Sequence, residues 1–202
     1  MINDSEAARL EKLLGPIYAH IREAILEAFR YRQTRYAEEL STHTARTRAS
    51  LLNDLIIFRF MQRKLREIGI RVFKINNRIL FDIRGELILH FKKLNGQLQS
   101  SNLQTEFAYA FTRQQELPGI PTKLLRLVAG YVPSKDWTAI TGVYVTLPKG
   151  NKVEWSRSLM DQADNITNLP NQKNEIPKRQ RKLRRRGGDK SNPAEETGTG
   201  GG

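Results

Sequence analysis

Apolar residues recur at two different spacings along this chain, and the change between them marks its main division. Near the start, Ile17, Ile21, Ile25 and Phe29 lie four residues apart with Ala24 and Ala28 beside them, a single apolar stripe at helical period. Arg22, Glu23, Glu27, Arg30, Arg32 and Arg35 are assigned to the opposite side. Residues 5–40 are therefore predicted helical, interrupted at Gly15, where Pro16 suits the first turn of a second helical stretch because its missing N–H has no partner to lose there. Ser41-Thr42-His43-Thr44 breaks the pattern, and Thr44 is the expected N-cap of the next helix. From Arg46 to Glu67, Leu51, Leu52, Leu55, Ile56, Phe58, Phe60, Met61 and Leu65 occupy much of the circumference, so that helix is expected to be buried on more than one side and to end at Gly69.

Beyond Gly69 the period becomes two. Ile70–Ile75 and Arg78–Arg84 flank Asn76-Asn77, a pair that tolerates positive φ and predicts a tight hairpin. Glu86–Lys93 is a third strand, and 104–115, with Phe107, Tyr109, Ala110 and Phe111, is a short amphipathic helix stopped by Leu117-Pro118-Gly119-Ile120-Pro121. Leu124–Val132, Trp137–Leu147 and Lys152–Trp155 read as a meander, its second turn at Pro148-Lys149-Gly150-Asn151. Trp137 and Trp155 are read as cross-strand packing residues. The order α-α-βββ-α-βββ predicts an α+β domain, with N-terminal helices packed on a mixed, mainly antiparallel sheet. That domain is expected to span 1–160, helical over 5–67 and β-rich over 70–157, and 161–202 is expected to be a disordered basic and Gly-rich tail.

Composition narrows the function classes. With no Cys, disulfide scaffolds, zinc ribbons and thiol chemistry are excluded, and His20, His43 and His90 are too scattered for a standard metal spacing. No apolar run reaches membrane-spanning length, and no basic segment followed by an apolar stretch opens the chain, so a cytoplasmic protein without a membrane association is expected. The formal charge is +13. From Lys173 onward nine Lys and Arg face four Asp and Glu, so both tail and body are basic. Such a surplus points to a polyanionic partner.

Two segments concentrate that charge. Lys178, Arg179, Arg181, Lys182, Arg184, Arg185 and Arg186 place seven cations in nine residues, a run that contacts phosphate backbones without reading bases. On the helices, Arg30, Arg32 and Arg35 are interleaved with Tyr31 and Tyr36, the mixture of cation and aromatic ring that nucleic-acid surfaces use; Arg46, Arg48, Arg59, Arg63, Lys64 and Arg66 follow. The competing reading of the helical set is a solvated face balanced by Glu27, Glu38 and Glu39.

One face of the central strands could hold chemistry. Alternation sends Leu80, Asp82 and Arg84 to one side of their strand, and Ile88, His90 and Lys92 can share that face on the next. In element order and in Asp82 and Lys92, residues 46–132 resemble the PD-(D/E)xK nucleases. The resemblance implies Mg²⁺ held by an acid on the second strand and by a (D/E)xK motif on the third. Here the third strand reads His90-Phe91-Lys92, so the second acid is missing, and Glu86 lies six residues before Lys92. No G-x-S-x-G, P-loop, G-x-G-x-x-G or H-E-x-x-H occurs. Phe91-Lys92-Lys93-Leu94, Leu117-Pro118-Gly119-Ile120-Pro121 and Gly130-Tyr131, within 90–155, resemble landmarks of an uncharacterised bacterial family associated with operons of ImmA/IrrE-type regulators. That resemblance implies an operon-encoded protein partner and a role in phage-defence or toxin–antitoxin regulation, and it supplies no catalytic residues.

The expectation is thus a non-enzymatic protein, without cofactor or metal, that binds DNA or RNA backbone through Arg30, Arg32, Arg35 and the Lys178–Arg186 run, and that also binds a protein partner. The alternatives are a Mg²⁺-dependent nuclease built on Asp82 and Lys92, and an interaction module for an acidic protein. Nothing in the sequence assigns an oligomeric state.

Overall fold

The computed structural model describes residues 2–100, 105–120 and 123–160, which lie within a unit spanning Met1–Thr167. Helix α1 (Asp4–Leu14) is capped by Asn3, whose side chain accepts from the Glu6 amide at 2.8 Å. A single 3₁₀ turn, Gly15–Ile17, carries Pro16 and leads into α2 (Tyr18–Arg35). Helix α3 (Ala45–Met61) starts where the sequence places its cap: the Thr44 hydroxyl accepts from the Thr47 amide at 3.2 Å. It ends six residues before Glu67, and in the turn that follows Arg63 reaches Glu23 and Glu27 of α2, at 3.2 and 2.8 Å, while Leu65 folds into the core.

Six strands follow, β1 (Ile70–Ile75), β2 (Arg78–Ile83), β3 (Leu87–Lys93), β4 (Leu125–Pro133), β5 (Ile140–Lys149) and β6 (Lys152–Ser158), with α4 (Glu106–Thr112) between β3 and β4. They form one sheet in sequence order. Every neighbouring pair is antiparallel except β3 and β4, which run parallel. The reason is the α4 connection, since only a crossover over a sheet face can return the chain in the same direction. Asn76 and Asn77, at φ 47° and 61°, make the β1–β2 hairpin, and Gly150, at φ 61°, turns β5 into β6.

The sheet is covered on both faces. Phe81, Leu89, Phe91, Leu127 and Val145 point to α1, α2 and α3, where Phe60, Phe81 and Phe91 meet edge to face with centroids 4.9 to 5.5 Å apart. Leu80, Ile88 and Val128 point to the other face, which Phe107 and Phe111 of α4 and the Leu117 and Ile120 segment cover. Seven-residue α4 is too short to cover it all, and polar side chains of β2 and β3 reach the uncovered ground beside it. Among the described residues no helix is long and apolar enough to cross a membrane.

Candidate functional site

Beside α4 the sheet opens into a cleft of about 560 Å³. Its floor is the end of β3, with His90 and Lys92 on the α4 face of the sheet and Lys93 next to them. One wall is a face of α3 made by Ala45, Arg46, Ala49, Ser50, Asn53 and Asp54, whose two alanines leave the space open. The other wall is α4, through Thr105, Phe107, Ala108 and Phe111. Arg78, the first residue of β2, closes one end; continuing the β2–β3 register toward it sets it opposite Lys92.

Four cations border this cleft against one carboxylate, Asp54: Arg46, Arg78 and Lys92 face it, while Lys93 leaves the sheet on the opposite face and rests its ammonium on Trp137. Among the described residues none of the four makes an ion pair. Arg78 is held by neutral groups: its guanidinium lies 4.6 Å from the Phe107 centroid, Nη1 donates to the Asn76 carbonyl at 3.2 Å and Nη2 to the Thr105 hydroxyl at 3.4 Å. Burial, and then the nearby Arg78, hold the Lys92 ammonium below the ordinary lysine range. His90 is 6% exposed, packs its ring on Phe111 at 5.7 Å and makes no hydrogen bond among the described residues. Burial, with Lys92 and Arg78 adding repulsion, keeps it down at about 3, so it is neutral at physiological pH. A cation opposite a cation across two strands is an unfavourable pair.

Lys93 joins the cleft to a second cationic feature. Its ammonium lies 5.2 Å from the Trp137 ring, and the Arg32 guanidinium lies 5.1 Å from the same ring. Trp137 does not pack across the meander as its sequence context suggests. It precedes β5 at φ 63°, and Gln33 of α2 donates to its carbonyl at 3.0 Å. Trp155 does sit in a strand, paired with Leu147.

The sequence-predicted residues are dispersed. Arg32 is buried, at 1% exposure, with Nε and Nη1 lacking a hydrogen-bond partner, so it is not part of a surface with Arg30 and Arg35. Spacing explains the correction: Ile25, Ala28, Phe29 and Arg32 continue one helical stripe into the core. Arg30, Tyr31 and Arg35 are exposed, Tyr31 meets Tyr36 edge on, and Arg59 lies over Tyr31 at 5.0 Å. The Lys178–Arg186 run lies outside the described residues, as does the expected tail from 161.

Asp82 and Lys92 share a sheet face, as alternation requires, yet they are not neighbours. Asp82 pairs with Ile88, four residues before Lys92, which separates them by about 13 Å along the strand at ~3.3 Å per residue. One Asp82 oxygen takes Arg71 at 2.5 Å and the other accepts from the Gly85 amide at 2.8 Å. Glu86 pairs with Arg9 of α1 at 2.7 Å. These residues do not assemble the carboxylate set that Mg²⁺ requires, and no group of three or more metal-ligating side chains occurs among the described residues. Sequence reasoning missed Arg78, although the tight Arg84-Gly85-Glu86 turn between β2 and β3 fixes a register that carries Arg78 toward Lys92.

No family model matches the chain, and neither the curated proteins nor the solved structures contain a significant match to it.

Proposed function

We propose that this chain binds nucleic acid, and that its structured contact is the basic cleft of Arg46, Arg78 and Lys92. The carrying observation is the convergence of three cations, Arg46, Arg78 and Lys92, without an ion-pair partner among the described residues, on a concave site where the Lys92 ammonium is already held below its ordinary range by burial and by its neighbour. Such an arrangement lowers the stability of the empty protein and favours a ligand that brings negative charge. Phosphate supplies that charge with acceptor oxygens for the Arg78 fork and the Lys92 ammonium. Exposed Arg30 and Arg35 and the Lys178–Arg186 run add sequence-independent attraction that speeds encounter.

The test is a salt titration of the full chain on labelled duplex DNA, single-stranded DNA and RNA, with Mg²⁺ present. Binding with a steep negative dependence on salt, and intact substrate afterwards, is the expected result. Binding to polyglutamate with none to any nucleic acid would move the cleft to an acidic protein partner. Metal-dependent cleavage would replace the binding reading with the nuclease one.

A further inference from the structure

We propose that the floor of the cleft is a receptor for a phosphomonoester, the terminal phosphate of a single nucleic-acid strand, and not for internal diesters of a duplex. This rests on the nucleic-acid reading and makes it specific. Size is the first argument. About 560 Å³ is within the range of pockets that enclose a small ligand, roughly 300–1,000 Å³, and it suits one nucleotide and not a helical segment. Charge is the second. An internal diester brings one negative charge, whereas a monoester brings about −1.5 to −2 and three acceptor oxygens. Only the larger charge balances Lys92 and Arg78 together at a recessed position that a neighbouring phosphate of the same strand does not share.

The donors match that demand. Arg78 is restrained by the Phe107 ring and by two neutral oxygens, and its remaining fork positions are left for a ligand. His90, more than nine-tenths buried and without a hydrogen bond among the described residues, lines the same floor as a neutral imidazole that can donate one N–H. Arg46, in the first turn of the 17-residue α3, stands at the rim, where the positive end of the helix dipole adds to the attraction. Half-buried Ala49 of α3 and Ala108 of α4 line the two walls with small apolar side chains that leave room for the sugar that follows the phosphate.

The experiment compares full-length protein on short single-stranded oligothymidylates carrying a 5′-phosphate, a 3′-phosphate or hydroxyls at both ends, by fluorescence anisotropy. Trp137 fluorescence in a Trp155→Phe background gives a second readout, because Lys93 lines the cleft and touches the Trp137 ring. One phosphorylated end is expected to bind at least about tenfold more tightly than the hydroxyl form. That preference is expected to vanish in Lys92→Met and Arg78→Met and to persist in Arg32→Met. Thymidine monophosphate displacing the phosphorylated oligomer at a similar concentration would assign the same receptor to a free nucleotide; displacement only by oligomers assigns it to a strand end. Equal affinity for all three oligomers, with binding intact, would overturn the monoester receptor and leave the nucleic-acid reading standing. No binding of any oligomer at low salt would overturn both.

Discussion

Replacing Lys92 with Met should stabilise the folded protein while weakening its binding. Methionine keeps the unbranched stem of lysine and removes the ammonium, so packing against the β3 surroundings changes little while the charge is deleted. Two costs of the native residue disappear: desolvation of the ammonium, which is the larger, and repulsion from Arg78. Exchanging buried ionic groups for apolar ones of similar volume stabilises proteins by about 1–4 kcal/mol. Lys92 is half-buried and opens on the cleft, so the low end applies, about 1 kcal/mol, or roughly 2–4 °C in Tm for a domain of this size. Thermal unfolding followed by circular dichroism in a low-salt, phosphate-free buffer measures it. Inorganic phosphate should then raise the Tm of the native protein more than that of the variant, because only the native cleft retains both facing cations. At high salt the two proteins should converge as the repulsion is screened. A variant that melts lower than the native protein at low salt would refute the reasoning, since it would show that Lys92 already has a compensating partner in the empty fold.

Three further outcomes follow from the same geometry. His90 titrates near 3 in the fold and near 6.5 when unfolded, so the unfolded chain binds its proton first; the stability this gives is complete above about pH 6.5 and falls as pH drops toward 3, by at most ~1.4 kcal/mol per pH unit. His90→Gln should remove that component, read as the difference between the two proteins' urea midpoints at pH 4.5 and pH 7. Arg32→Met should leave nucleic-acid affinity unchanged and alter stability by no more than about 1 kcal/mol. Removing the guanidinium from the Phe29 and Trp137 rings is offset by the relief of two unsatisfied buried nitrogens, and an affinity drop above threefold would place Arg32 on the binding surface. Changing the seven cations of Lys178–Arg186 to Gln in the full chain should lower affinity for all nucleic acids alike, with the logarithmic salt slope reduced by about 0.7–0.9 for each phosphate no longer neutralised; weaker discrimination among sequences would contradict an arm that touches only backbone.

Local signals carried much of this fold. Thr44 acts as the cap its position suggests, Asn76-Asn77 makes the hairpin through two left-handed residues, and the alternation of β2 and β3 places Asp82 and Lys92 on the face predicted for them. What failed was anything that depended on the reach of a long side chain or on assembly. Arg32 sits on the apolar stripe of α2, and its position was legible at a spacing of three and four from Phe29 and Ala28, but charge outweighed periodicity in assigning it to solvent. Glu67 lies beyond the end of α3, past the turn in which Arg63 pairs with Glu23 and Glu27 of α2, a long-range contact that no local pattern encodes. The cleft draws Arg46 from a helix, Arg78 from a hairpin and Lys92 from a strand. Each is an ordinary surface cation by itself, and only the packing of α3 and α4 beside the end of β3 makes them one site.

The most direct test of the cleft as the nucleic-acid interface is the salt dependence of binding of an end-phosphorylated single-stranded oligonucleotide by the native chain and by the Arg78→Met, Lys92→Met double variant, measured side by side at several salt concentrations. With the two cations that share the strand's terminal phosphate removed, the slope of log K against log salt is predicted to be shallower by about 0.7, with weaker binding at every salt concentration. Superimposable lines would show that the cleft does not touch the phosphates and that binding resides elsewhere on the chain.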